Sequence, residues 1–368
     1  MRIGIDIRAL MEGKTTGVQI YVTHLLHALF QLDQVNQYFL FANSFADIKE
    51  RVQVFDYPNA KYKIFRYPNK LFILGQKFLA SPKLDRMLGG IDLFFSPHWR
   101  TAALPANLPL VITFHDLSFE IMPEFFTLRQ RLWHQFMNYR EAAHRASLLV
   151  AVSHSTQQDL VRFYGIPEKK IRVIYPGVAL SSLPEAVPLS DLPERYFLAF
   201  GTFEPRKNLE AVLAAYREYF KKSKVKLPLV LAGSSGWKTK LAIPAPIGKF
   251  VKVLENVTEE EKSFLYRRAF ALLFLSFYEG FGFPVLEAAS QGVPVIGSFA
   301  TSVAEVGSDF VLLVNPFRSS QIAEAMLSLE EDEPYRLRLR DRALAASSRF
   351  SWTKSAEEML NLFEGLMK

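Results

Sequence analysis

Two glutamates, Glu279 and Glu287, stand with seven residues between them in Tyr278-Glu279-Gly280-Phe281-Gly282-Phe283-Pro284-Val285-Leu286-Glu287-Ala288. Glycines let a phosphate or sugar approach backbone N–H groups, and a proline suits the first position of a helix. Glu279 therefore falls on a loop after a buried strand and Glu287 in the first turn or so of the next helix, so both can point into one cleft. The bland alternative is a helix cap plus a surface acid. A second group, Gly201-Thr202-Phe203-Glu204-Pro205-Arg206-Lys207-Asn208, puts two adjacent cations where a helix begins. The helix N-terminus already carries partial positive charge, so Arg206 and Lys207 cost stability there unless an anion sits between them. The alternative is a solvated charge pair.

Two further places could carry chemistry. His115-Asp116 follows the apolar run 110–114, at the carboxyl end of a strand; a lone histidine there is more often structural than catalytic. The loop 9–16 leads into a helix beginning near Gly17-Val18-Gln19, where Gly17 would let an anion approach the helix N-terminus. There the alternative is a plain helix start with Thr15 or Thr16 as N-cap. The absence of G-x-G-x-x-G disfavours a dinucleotide. Without cysteine, a disulfide framework, a thiol nucleophile and Cys-ligated metal are excluded.

These groups need elements to hold them. Short β-branched and aromatic runs at 2–8, 38–42, 61–66, 92–96, 110–114, 148–152 and 171–175 alternate with helical periods at 18–32, 71–88, 128–145 and 155–164. A Pro-, Ser- and acid-rich stretch at 180–192 reads as a linker. Beyond it, strands are expected at 196–200, 229–232, 250–254, 271–275, 293–296 and 311–314. Helices are expected at 209–221, 259–269, 284–291, 321–329, 334–347 and 353–366. The fold class is α/β, with two Rossmann-like domains. A chain of 368 residues has the length for two domains at ~150 residues each. Ligands in such sheets bind beyond the carboxyl ends of the strands, where all four groups fall.

The formal net charge of +7 is unevenly spread: residues 1–183 carry 21 Lys and Arg against 14 Asp and Glu, and residues 184–368 carry 23 of each. A basic half expects an anionic partner, either nucleic acid or a membrane leaflet. Residues 47–87 hold nine cations against four acids, with Phe55, Tyr57, Tyr62, Phe65, Tyr67, Phe72 and Phe78 interleaved. That suits a membrane interface or single-stranded nucleic acid, or else a solvated face over a Phe-rich core. The N-terminal residues alternate into a strand without a signal-peptide core, and the most apolar run, 269–277, falls short of the ~20 residues a bilayer needs.

Together these segments resemble the family 4 glycosyltransferases, retaining nucleotide-sugar transferases of the GT-B fold. The resemblance runs from Gly4-Ile5-Asp6-Ile7-Arg8 and the Gly17 loop through Phe114-His115-Asp116-Leu117, Val152-Ser153-His154-Ser155 and Val173-Ile174-Tyr175-Pro176-Gly177-Val178. It continues through Gly201 to Asn208, the Glu279…Glu287 motif, Gly292-Val293-Pro294-Val295 and Phe350-Ser351-Trp352. It implies that Glu287 binds the nucleotide ribose and Glu279 the donor sugar. The backbone N–H groups of Phe281, Gly282 and Phe283 would lie near sugar and diphosphate. Arg206 and Lys207, beside Gly201, would neutralise the diphosphate, Gly17 would lie against the phosphate from the other domain, and His115 would sit by the sugar. Many members carry arginine directly after the glycine at 201. Here that residue is Thr202, which leaves the duty of Arg206 less defined than that of Lys207.

The resemblance also implies two domains, 1–183 on the acceptor side and 184–350 for the nucleotide sugar, with a last helix, 351–368, returning to the first. No cofactor or metal is expected, since no Asp-x-Asp motif occurs; the donor is a co-substrate, with GDP-mannose favoured over UDP- or dTDP-sugars. The expected acceptor is a lipid-linked glycan in cell-surface glycan synthesis. The expected place is the cytoplasm, with peripheral attachment to an anionic inner membrane face, and no nucleic acid partner. Rivals are a rhamnosyl- or glucosyl-transferase, a GT-B-fold isomerase or phosphorylase, and a non-catalytic binding subunit of the same fold.

Overall fold

The computed structural model describes residues 1–12, 16–178, 189, 192–238 and 241–367. Thr15 and nearly all of the expected linker at 180–192 lie outside them. The chain divides into two compact units. Unit 1 comprises Met1–Leu117, Leu128–Gly177 and Ser351–Lys368; unit 2 comprises Ser118–Thr127 and Val178–Phe350.

Unit 1 is built on seven parallel strands: β1 (Arg2–Asp6), β2 (Gln37–Asn43), β3 (Ala60–Phe65), β4 (Leu93–Ser96), β5 (Leu110–Phe114), β6 (Leu148–Ala151) and β7 (Ile171–Val173). Their order is β3-β2-β1-β4-β5-β6-β7. The chain winds outward in one direction from β1 and in the other from β4, so the β1/β4 gap is the topological switch point. Runs such as LVITF in β5 are buried throughout, as expected of a parallel strand covered on both faces.

Unit 2 repeats the plan with six strands: β8 (Tyr196–Phe200), β9 (Leu229–Gly233), β10 (Val251–Glu255), β11 (Ala269–Phe274), β12 (Val295–Ser298) and β13 (Val311–Val314). The order β10-β9-β8-β11-β12-β13 puts its switch point between β8 and β11. The helix Leu209–Lys222 covers this sheet with Leu209, Val212, Leu213, Tyr216 and Tyr219, apolar at i, i+3, i+4 and i+7. Glu210 in its first turn and Lys221 and Lys222 in its last complement the helix dipole.

Three expectations about elements change. The helix expected at 71–88 is interrupted: Asn69–Leu74 runs into a π-helical turn, Gly75–Leu79, and helix resumes only at Leu84–Met87. Gly75 passes so close to the Ser81 carbonyl that a Cβ would lie 2.8 Å from its oxygen. The helix expected at 128–145 splits into Leu128–Met137 and Tyr139–Arg145 at Asn138, which adopts φ 51° and caps the second piece through Glu141 N. Residues 118–127, early in the chain, pack with unit 2 instead of unit 1. Trp237 Nε1 donates to the Phe125 carbonyl at 2.8 Å, Lys238 Nζ to those of Glu124 and Phe126, and Phe125 stacks on Phe277.

The last helix, Trp352–Leu366, packs on the helix Gly17–Leu32 of unit 1, with Trp352 stacked on His24 at 5.6 Å and Phe363 edge-on to Phe95. Gly177 is obligatory beside it, because a Cβ there would fall 2.2 Å from the Trp352 amide nitrogen.

Candidate active site

The residues that follow β8 and β11 meet at the switch point of unit 2. After β8, Gly201 takes φ 145°, and a Cβ on it would press at 3.3 Å on the Lys207 side chain, so glycine gives Lys207 its place. Pro205–Lys207 form a single 3-10 turn, and Asn208, at φ 56°, starts the helix Leu209–Lys222. Three bonds tie this turn to the loop after β11 and a fourth ties it to the loop after β13. Asn208 Nδ2 donates to the Leu275 and Pro316 carbonyls, Phe277 N donates to the Arg206 carbonyl, and Arg206 Nη1 donates to the Tyr278 carbonyl.

Glu279 is thereby delivered between the two cations. Its Oε2 lies 2.8 Å from Arg206 Nη1 and its Oε1 2.6 Å from Lys207 Nζ. Its own backbone is pinned by Thr301 Oγ1, which accepts from Glu279 N, and by Ser302 Oγ, which donates to the Glu279 carbonyl. The anion that adjacent cations demand near a helix start is thus supplied by the protein itself. Burial would raise the Glu279 pKa, but Arg206 and Lys207 outweigh it and hold the carboxyl at about 2.

The two cations are not equivalent. Arg206 bridges Glu279, Glu204 and the Tyr278 carbonyl, so it fastens the turn to the loop. Lys207 spends one N–H donor on Glu279 while its ammonium lies 5.0 Å from the centre of the Phe274 ring. Its other donors have no acceptor among the described residues.

Glu287 lies in the second turn of the helix Phe283–Ser290, also buried. Lys262 Nζ and the Tyr266 hydroxyl each donate to it at 2.9 Å. Lys262 and Tyr266 are one turn apart on the helix Glu259–Arg268, whose start is fixed by a Thr258–Glu261 capping box. Burial would lower the Lys262 pKa, but Glu287 and Glu259 overcome it and hold it above its ordinary value. Sequence reasoning misses both residues. Their i, i+4 spacing is visible, but the buried acid they serve is 21 and 25 residues away.

Gly282 opens the helix Phe283–Ser290 at φ 94°, a conformation glycine adopts without strain, and Pro284 follows in its first turn. Phe281 is buried, edge-on to Phe283 and Phe350. Gly17 and His115 belong to unit 1. Gly17 opens the helix Gly17–Leu32 behind Thr16, which is the N-cap and forms a capping box with Gln19. His115 Nε2 donates to the Pro97 carbonyl at 2.8 Å, and the ring stands edge-on to Tyr21 at 4.8 Å. Burial lowers its pKa against the opposing effects of Pro97 and Asp116, so the ring is neutral near pH 7. A neutral ring with its one N–H committed is no phosphate-binding cation.

The pattern of the family described as Glycosyl transferases group 1 matches residues 185–346, and that of Glycosyltransferase Family 4 matches residues 15–182. The chain is 30% identical over 284 residues to an O-antigen chain mannosyltransferase B of Escherichia coli, covering 74% of this chain and 72% of that protein. The chain belongs to the family 4 glycosyltransferases. It is also similar to the serotype-specific mannosyltransferase WbdA of E. coli, 27% identical over 73% of this chain, but spans only 35% of that longer protein. An O-antigen chain mannosyltransferase RfbU of Salmonella typhimurium is 26% identical, covering 60% of each chain. Among solved structures, sucrose-phosphate synthase from Thermosynechococcus elongatus superposes with a TM-score of 0.75 at 19% identity, over 100% of this chain and 99% of that one. Anabaena HepE, in complex with UDP and glucose, superposes with a TM-score of 0.72 at 18% identity, over 99% of this chain and 100% of that one. The fold of this glycosyltransferase is therefore GT-B, and the chain is an enzyme of glycan synthesis.

Proposed function

We propose that this glycosyltransferase moves mannose from GDP-mannose to a growing lipid-linked glycan, with retention at the anomeric carbon and without a metal ion. The observation that carries the transfer chemistry is the Arg206–Glu279–Lys207 cluster at the β8/β11 switch point. Breaking the anomeric C–O bond builds positive charge on the sugar and negative charge on the departing diphosphate. Lys207 keeps N–H donors for that diphosphate, and the start of the helix Phe283–Ser290 adds its dipole. Glu279, with its pKa at about 2, is ionised at any working pH. It orients Lys207 and faces the sugar as a fixed carboxylate, and it is no proton donor. Glu287, oriented by Lys262 and Tyr266, would accept from the ribose hydroxyls. Mannose is favoured because the curated relatives carry that name.

Membrane attachment is supported by only part of the aromatic stretch 47–87: Phe55 and Phe72 are core residues, whereas Phe78 is exposed. Leu71, Phe78 and Leu79 are more than 60% exposed on one segment, and Leu128, Leu132 and Trp133 are exposed on the helix Leu128–Met137. Phe78 meets Phe136 edge-on and Lys77 lies 4.1 Å from the centre of the same ring, so the two segments form one face. Exposed Lys70, Arg129 and Arg131 complement an anionic leaflet. No helix among the described residues is long and apolar enough to cross a membrane.

The test is a thermal-shift panel of GDP, UDP, dTDP and ADP, since a ligand that binds only the folded chain raises its melting point. GDP alone should raise it substantially, and transfer from GDP-mannose should follow. A response to UDP or dTDP with none to GDP overturns the donor assignment.

A further inference from the structure

Residues 118–127 leave unit 1 after Leu117, pack with unit 2, and rejoin unit 1 at Leu128. So short an excursion has no core of its own and takes its order from the surface beneath it. It forms one turn of helix, Ser118–Ile121, and the 3-10 turn Pro123–Phe125. Its anchorage is the carboxyl edge of the unit 2 sheet, where Arg206, Lys207 and Glu279 also lie.

Strand β8 lies between β9 and β11 in that sheet. The turn after β8, which carries Arg206 and Lys207, is therefore flanked by the loops that follow β9 and β11. The segment grips both. On the β9 side, Trp237 Nε1 donates to the Phe125 carbonyl at 2.8 Å, Lys238 Nζ donates to those of Glu124 and Phe126, and the Trp237 ring lies 6.1 Å from that of Phe126. That loop is itself fixed to the turn, because Phe203 N donates to the Ser234 carbonyl and Phe203 pairs with Ser235. On the β11 side, the Phe125 ring stacks on Phe277 at 5.7 Å, and Phe277 stacks on Phe317 at 4.9 Å. Phe277 N in turn donates to the Arg206 carbonyl, and Tyr278 and Glu279 follow directly in the chain.

One residue thus makes both attachments: Phe125 joins the β9 loop through its carbonyl and the β11 loop through its ring. We infer that Phe125 is a positioning residue of the nucleotide site, with Trp237 as its partner. The inference rests on the proposed transfer reaction. The two residues clamp the loops about the β8 turn and so set Glu279 and Lys207 for the diphosphate. Phe125 has no ring contact or hydrogen bond with Arg206, Lys207 or Glu279 among the described residues, so it acts through Phe277. Lys207 is a flexible side chain whose ammonium is aimed by Glu279, and Glu279 is aimed by the loop that Phe277 holds on the turn. Ordering that loop before the ligand arrives removes the cost of ordering it on binding.

Calorimetric titration of GDP into the full chain and its variants tests this. Phe125→Ala should bind GDP about tenfold more weakly than the wild type, the coupling of one stacked ring. Phe125→Tyr, which keeps the ring, should restore the wild-type affinity. Trp237→Phe, which loses only the N–H donor, should weaken binding about threefold. In a Lys207→Met background, Phe125→Ala should add less than about twofold, because its effect runs through Lys207. A merely structural role would lower the melting point of Phe125→Ala and leave the affinity of its folded fraction unchanged. Wild-type affinity in folded Phe125→Ala, or the full tenfold loss in the Lys207→Met background, overturns the inference. If Phe125→Ala does not fold, wild-type affinity in Trp237→Phe overturns it. A wild type that binds UDP or dTDP in place of GDP overturns the donor assignment alone, and the same variants are then titrated with that nucleotide. A wild type that binds none of the three overturns both.

Discussion

The two units place charged residues by the same topological rule but surround them differently. At the β8/β11 switch point of unit 2, cations meet carboxylates at 2.6 to 2.9 Å: Arg206 and Lys207 on Glu279, Lys262 on Glu287. At the β1/β4 switch point of unit 1, Arg8, Arg51 and Arg100 line a cavity with no carboxylate among its described lining residues, and Arg8 grips the buried Asp6. The whole-chain charge follows the same division, with the surplus of +7 confined to residues 1–183. A charge-compensated site is held rigid before its ligand arrives.

The comparison breaks most easily at its compensated end. Glu279→Ala would leave Arg206 and Lys207 facing each other, partly buried, and removing one partner of a buried pair costs about 3–5 kcal/mol. Transfer should be lost along with much of the folding stability, and a urea titration of the variant measures the latter. Glu287→Ala should act in the same direction by a smaller amount, because Lys262 keeps Glu259 at 2.6 Å. An unaltered urea midpoint in Glu279→Ala would show that the cluster is not an internally neutralised one.

Lys207→Met comes next and sharpens the distinction between the two cations. Removing a preorganised donor to a developing charge costs about 10²–10³ in kcat, while Glu279 keeps Arg206 and the fold keeps its turn. Arg206→Met should do the reverse, costing more stability than Lys207→Met because it unfastens Glu204, Tyr278 and Glu279 together. Side-by-side melting curves and initial rates check both halves.

The pH dependence is a smaller effect with a definite sign. The Glu279 carboxyl titrates near 2 in the folded chain, against 4.5 ordinarily. Its ionised form therefore stabilises the fold fully above pH 4.5, and that contribution disappears as pH falls through 2. The melting-point gap between the wild type and Glu279→Gln should stay constant from pH 7 to 5 and narrow below 4.5. The smallest effect concerns unit 1: flotation with anionic vesicles should weaken in Leu79→Ser and Phe78→Ser, and neutral vesicles should capture little of either protein.

Much of this organisation is legible in the chain itself. The thirteen strands of the two sheets fall where strands are expected: central ones such as LVITF announce themselves by near-continuous hydrophobicity, and edge ones such as AKYKIF and VKVLE by apolar and β-branched residues alternating with lysine. The clustering of Arg206, Lys207 and Glu279 follows from their positions after β8 and β11. What escapes is long-range or conformational. Nothing local says that Asn138 turns left-handed and divides a helix, or that Gly75 meets the Ser81 carbonyl. Lys262 and Tyr266 become site residues only when the helix Glu259–Arg268 is laid beside Glu287. Asp6 and Arg8, two residues apart on a strand end, gain meaning only from the cavity beside them. The aromatics of 47–87 divide in the fold for the same reason: Phe55 and Phe72 face the core, while Tyr67 and Phe78 face solvent.

The central claim is that unit 2 holds the donor through Lys207 in a cluster already neutralised by Glu279. Calorimetric titration of GDP into the wild type and Lys207→Met tests it most directly. The account predicts binding by the wild type and at least tenfold weaker binding by a variant that melts within a few degrees of it. Equal affinity in the two proteins would contradict it.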